Sequence, residues 1–206
     1  MLVRNQPSKR AQRLAVAGSV LAALVAGIQP GFSETPAPDT SARIAAARAA
    51  SKDLGETLKG QLVAAIKSGG PASAIPVCKT IAPAIGNETS TKHNLSIRRT
   101  SLKVRNPANA PDAFELRVLE DFVKKLEAGA DPMTLEHSEV VSTNGVSEFR
   151  YMKAIPTAAE PCLACHGSDL KPEVKAGISK LYPDDKATGF KAGDLRGAFS
   201  VTQKIK

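Results

Sequence analysis

The pentapeptide Cys162-Leu163-Ala164-Cys165-His166 constrains this chain more than any other feature. Two thiols separated by two residues and followed at once by an imidazole form the C-x-x-C-H attachment signature of c-type haem. The chemistry needs that spacing. The two thiols can add to the two vinyl groups on one edge of a porphyrin, and the next residue can set its ring beneath the iron as proximal ligand. A fold carrying this motif has to leave room inside for a wide, flat group. The composition agrees: aromatic residues make up 4% of the chain, with no Trp and only two Tyr. A core built on Ala, Val, Leu and Ile is thin, and such a group would help to fill it.

Other uses of the motif fit less well. A redox-active C-x-x-C belongs in a βαβ context, whereas this neighbourhood reads as a strand followed by an irregular loop. A zinc site needs two more ligands, and Cys78, His93 and His137 lack paired spacing. A disulfide across two residues would be strained. Three cysteines in all exclude a multi-disulfide scaffold and a four-cysteine zinc site within one chain.

At 206 residues the chain is a little longer than one ordinary domain, and its 42% apolar and 23% charged residues are globular in character. The formal net charge of +8 suggests nucleic acid, but the distribution argues against it. Residues 1–33 hold Arg4, Lys9, Arg10 and Arg13 and no acid, followed by an apolar run of 15 residues over 14–28. That is the pattern of a secretory signal peptide, too short for a bilayer-spanning helix of about 20 residues. Lys9-Arg10 is not a twin-arginine pair, so general secretion of the unfolded chain is expected. Removing residues 1–33 takes four positive charges from the +8 and leaves +4. No basic stripe interleaved with aromatics remains, so no nucleic-acid partner is expected. The expected organisation is a signal peptide over 1–33, a disordered Pro- and Thr-rich lead-in over 34–40, and a single haem-binding domain over 41–206. The expected location is the periplasm, with a membrane contact only if the signal segment stays uncleaved.

Residues 41–67 read as a long helix, with Leu54, Leu58, Leu62 and Ile66 in one stripe, ended by Gly69-Gly70-Pro71. A second helix is expected from about Ala72, with Ile75, Cys78, Ala82 and Ile85 on one face and Pro83 kinking or stopping it near its end. Residues 87–94 read as a polar loop. Residues 95–104 read as a strand projecting Arg98, Arg99 and Lys103, with Arg105 just beyond. Asn109 is a candidate cap for an amphipathic helix over 111–128, which carries Phe114, Val118, Phe122 and Leu126 on one face. Residues 138–155 read as a hairpin around Asn144-Gly145. Residues 167–193 read as loop, and 196–205 as a last strand. Helices that precede and interrupt an antiparallel sheet make the class α+β.

The sixth iron position has five candidates: Cys78, His93, His137, Met133 and Met152. His93 in a polar loop and His137 at a strand start read as surface histidines, Met152 as core, and Met133 as a turn residue. Cys78 is left without a thiol partner once Cys162 and Cys165 carry haem. A small buried apolar residue on a helix is an equally good reading of it.

Four blocks occur in order that resemble a family of exported c-type haem proteins long described as a domain of unknown function. They are Ala74-Ile75-Pro76-Val77-Cys78, the run from Arg99 to Asn109, the motif from Cys162 to Gly167, and the ending from Tyr182 to Gly189 and Gly193 to Ala198. The resemblance covers nearly all of the chain after the signal segment. It implies a PAS-like fold, one covalent haem c, iron ligation by His166 and Cys78, and a role as a haem-based sensor.

The two propionates of a haem suit arginine forks. Arg99, Arg105 and Asn106 are the candidates for that pocket edge, and a solvated strand face is the other reading of each. Function then divides three ways. A periplasmic redox or ligand sensor leads, with a small electron-transfer cytochrome as the alternative and a haem peroxidase third. Small electron carriers are typically compact and helical, whereas this chain devotes many residues to strands. A peroxidase needs an open distal position that a Cys78 ligand would fill, so no enzyme activity is expected. No kinase, cyclase or methyl-accepting segment is attached, so a signal is expected to pass to a separate redox or signalling protein.

Overall fold

The computed structural model describes residues 40–143 and 145–205. The signal segment and residues 34–39 of the lead-in lie outside the described residues, as does Asn144 of the hairpin turn. Helix α1 (Ser41–Gly69) runs two residues further than its apolar stripe predicts and ends where Gly70 turns with φ of 77°. A short 3-10 turn (Pro71–Ala74) and a π turn (Val77–Ile81) lead into α2 (Ala82–His93). Strand β1 (Ser96–Thr100), a 3-10 turn (Pro107–Asn109), α3 (Ala113–Glu127), β2 (Glu136–Thr143) and β3 (Val146–Pro156) follow. Two helices, α4 (Leu163–His166) and α5 (Pro172–Leu181), precede the last strand, β4 (Leu195–Lys204).

The four strands form one antiparallel sheet in the order β1-β4-β3-β2. Among the described residues the class is α+β, with a long first helix and further helices packed on the sheet, as expected. The sheet is buried on both faces. Phe149, Tyr151 and Val201 face α1, where Ala47 and Ala50 are small enough to let that helix approach closely. Met152, Ala154 and Ala198 point the other way, under Phe114, Val118, Leu119 and Phe122 of α3. The Tyr151 hydroxyl donates to Glu136 at 2.8 Å, and Arg48 of α1 pairs with the same carboxylate. No helix among the described residues is long and apolar enough to cross a membrane.

Several local expectations give way. Pro83 starts α2 rather than ending it, because a first-turn residue needs no amide hydrogen. The supposed loop over 87–94 is the rest of that helix, closed by Asn94 in the left-handed region. The cap of α3 is Asp112, not Asn109: Asp112 and Glu115 bond each other's amides at 2.7 and 3.0 Å. Strand β1 stops at Thr100, before Lys103 and Arg105. The span 167–193 contains α5, with Pro172 in its first turn and Val174, Ile178 and Tyr182 packed on Ile75.

Candidate functional site

A cavity of about 390 Å³ lies between the C-terminal half of α1, the π turn, the ends of β1, β3 and β4, and the C-x-x-C-H segment. That volume is within the range of small-molecule and cofactor pockets. The α1 stripe divides its work. Leu54 is buried against the sheet, while Leu58 and Leu62 form an apolar wall of the cavity beside Ile75 and Phe199.

The motif folds as one helical turn. The amides of Cys165 and His166 both donate to the Cys162 carbonyl, at 3.1 and 2.9 Å. Residues three apart on a helix are neighbours, so Cys162 and Cys165 share one side, and both line the cavity. This turn replaces the irregular loop expected after the strand. All three cysteines are free and half-buried. Burial pushes the Cys165 thiol above its ordinary pKa, against the pull of Arg105.

His166 is held in one tautomer. Its Nδ1 lies 2.7 Å from the Ala187 carbonyl, which can only accept, so Nδ1 carries the hydrogen and Nε2 keeps its lone pair. Burial, reinforced by Arg196 and Arg105, lowers the pKa of the ring to about 2, so it is neutral at working pH. A neutral imidazole with one nitrogen anchored and the other unprotonated is the form that ligates metals.

Cys78 lies on the opposing segment. Pro76 and Pro83 lack amide hydrogens and bracket it, and the chain between them takes a π turn in which the Ala82 amide donates to the Val77 carbonyl five residues back. Of the five candidates for a second ligand, Cys78 alone lines the cavity. His93 binds Asp53 of α1 at 2.9 Å, and His137 binds Glu139 at 3.0 Å beside the Phe114 ring. Met152 is fully buried under α3, and Met133 is 65% exposed. Among the described residues no group of three His, Cys, Asp or Glu side chains is gathered closely enough to hold a metal ion.

The basic residues near β1 are not a solvated face. Arg98 reaches the buried Glu115 at 3.2 Å and the carbonyls of Ala108 and Ala110. Arg99 lines the cavity. Arg105 touches it but is otherwise engaged: it forks onto Asp185 at 2.9 and 3.0 Å and donates to the carbonyls of Cys165 at 2.7 Å and Ala187 at 3.1 Å. Asp185 in turn accepts from the Ala187 amide at 3.0 Å. Arg105 is therefore the staple that fixes the carbonyl on which His166 rests. Asn106 is not on the cavity wall; its side chain accepts from the Ala108 amide at 3.1 Å and caps the 3-10 turn. Arg196, which the sequence reading passed over, is on the wall, with Nε 3.4 Å from His166 Nε2. Burial, with Arg105 and Arg99 nearby, lowers its pKa to about 10. Its signal in the sequence was a charge set among Leu195, Gly197, Ala198 and Phe199 at the start of the strand, far from Lys204 at the other end.

The Tll0287-like family matches the chain over residues 11–203. A solved structure, described as the crystal structure of the cyanobacterial heme-protein Tll0287, superposes with a TM-score of 0.55 at 24% identity, over 82% of this chain and 98% of that one. No curated protein matches the chain.

Proposed function

This chain belongs to the Tll0287-like family, and from that premise and the cavity's geometry we propose that it is a haem-binding protein of the c type. Cys162 and Cys165 would hold one haem by thioether bonds, and His166 and Cys78 would supply the protein ligands to its iron. One observation carries this reading: a single apolar-walled cavity gathers all three cysteines and His166, and leaves His93, His137, Met133 and Met152 outside. The residues fit the group. They supply two thiols on one helical turn, an imidazole whose Nε2 is unprotonated, a thiol on another wall, and cations at Arg99 and Arg196. The haem when bound supplies an iron centre that takes up one electron and can exchange a ligand.

The chain's own residues do the rest. Ala187, fixed by Arg105 and Asp185, orients His166 through Nδ1. Leu58, Leu62, Ile75 and Phe199 exclude water. Cys78 bound through sulfur would favour the oxidised metal and so a low potential, in contrast to a His/Met pair. The π turn that carries Cys78 leads directly from Ile75, which packs on Val174, Ile178 and Tyr182. A change at the thiol is thereby coupled to the seat of α5, the kind of two-state element a redox or ligand sensor requires. We place the protein in the periplasm, since haem attachment follows export, and assign it no enzyme activity, since a Cys78 ligand would fill the position a peroxidase keeps open.

The test is a set of ferric and ferrous absorption spectra with and without carbon monoxide. A ferrous protein that loses its sulfur ligand and takes up carbon monoxide supports ligand sensing. One that keeps both ligands and excludes the gas favours electron transfer, and spectra without a haem band refute the whole reading.

A further inference from the structure

We propose that Arg196 and Arg99 form the carboxylate-binding subsite of this cavity, the place where the acid arms of the haem are held, and that Arg105 and Asn106 take no part in it. The inference rests on the haem reading and assigns a chemistry to one edge of the same site.

The argument is an accounting of charge. The cavity wall carries Lys59, Arg99, Arg105 and Arg196 against a single acid, Glu160. Arg105 is satisfied: both oxygens of Asp185 and two backbone carbonyls take its hydrogens, and the pair is buried, with 9% and 8% of the two side chains exposed. Asn106 is spent on the Ala108 amide.

Arg196 and Arg99 differ. Among the described residues neither makes an ion pair. Nη1 of Arg196 donates to the Ser101 hydroxyl at 3.0 Å and, at a longer 3.4 Å, to the Lys103 carbonyl. Ser101 also lies 2.7 Å from the Arg196 carbonyl, so the arginine is braced at its backbone and at its tip. Its Nε is 3.4 Å from His166 Nε2, at the edge of hydrogen-bond range.

Arg99 and Arg196 are half-buried, a guanidinium partly withdrawn from water is better satisfied by an anion than by neutral acceptors, and a fork geometry suits a carboxylate best. The contact from Arg196 to His166 also has to be given up once that nitrogen binds iron. A carboxylate gives Nε a stronger acceptor in exchange.

The experiment compares haemin with haemin dimethyl ester, which has the same ring and iron but no carboxylates. Each is titrated into the full chain prepared without thioether attachment, followed by the Soret band. Wild type should bind the diacid at least about tenfold more tightly than the diester, as expected for charge-assisted hydrogen bonds. Arg99→Gln/Arg196→Gln should bring the ratio close to one by weakening the diacid alone, and Arg196→Lys should restore part of it. Equal binding of diacid and diester by wild type, or an unchanged ratio in the double variant, overturns the subsite while leaving the haem reading intact. Wild type that binds neither porphyrin also overturns the subsite, while the haem reading is judged separately by the ferric and ferrous spectra of the matured protein.

Discussion

Replacing Arg105 with Gln tests whether the site is held in place by a buried ion pair. The change removes the fork onto Asp185 and the donors to Cys165 and Ala187, and leaves Asp185, 8% exposed, without its counter-charge. Breaking one side of a buried pair costs about 3–5 kcal/mol. Asp185 still accepts from the Ala187 amide at 3.0 Å, so the lower end applies. For a domain of this size 1 kcal/mol shifts the midpoint by about 2–4 °C, so a loss near 3 kcal/mol lowers Tm by about 6–12 °C. Arg105→Gln/Asp185→Asn removes the stranded charge as well, and should recover most of that loss. The assay is thermal unfolding by circular dichroism at neutral pH, on wild type, both single variants and the double variant. A drop below about 2 °C in Arg105→Gln, or a double variant whose loss equals the sum of the singles, would refute the reasoning, because two uncoupled residues add.

Cys78→Ala and Cys78→Ser should abolish the low-spin ferric paramagnetic signature of sulfur ligation and raise the potential; unchanged signals and potential would remove Cys78 from the iron. Gly197→Ala should destabilise by about 1–3 kcal/mol, since a Cβ there would sit 2.3 Å from the Thr100 carbonyl oxygen and force β1 away from β4 beside the cavity. Gly60→Ala, with nothing within 4 Å of the added carbon, should be neutral or stabilising in the same melt. Acid should weaken the fold through Glu136. The Arg48 hydrogen bond, helped by Tyr151 and opposed by burial, holds its carboxyl below the ordinary 4.5, so the stabilisation is complete above pH 4.5 and is lost as pH falls through the lower folded-state value. Glu136→Gln should lower Tm at pH 7 and flatten its fall below pH 4.5; an equal acid slope in both proteins would contradict the assignment.

What was legible in the sequence was what local pattern encodes. The four strands, the α1 stripe, the Phe114-to-Leu126 face of α3 and the C-x-x-C-H motif all declare themselves within a few residues. The misreadings have physical causes. Helix α5 hides among Gly, Pro, Asp and Lys, although Pro172 in the first turn, Lys180 in the last, and Val174 and Ile178 four apart were available as signals. The polar span over 87–94 reads as loop because only Ile85 and Thr89 of that helix turn inward with Ala82. The π turn is a compromise between two prolines rather than a propensity. The fates of Arg105 and Arg196 depend on partners 80 and 95 residues away in the chain, Asp185 and Ser101, which no local pattern reveals. Arg105 therefore read only as a ligand-facing group, although besides lining the cavity it staples the Ala187 carbonyl.

The central claim, covalent haem on Cys162 and Cys165, is tested most directly by the intact mass of the denatured protein after expression in a host competent for c-type maturation. The account predicts a mass raised by one haem that survives denaturation, stains for haem, and leaves Cys78 as the one thiol open to alkylation. A haem-free mass with Cys162 and Cys165 both alkylated would contradict it.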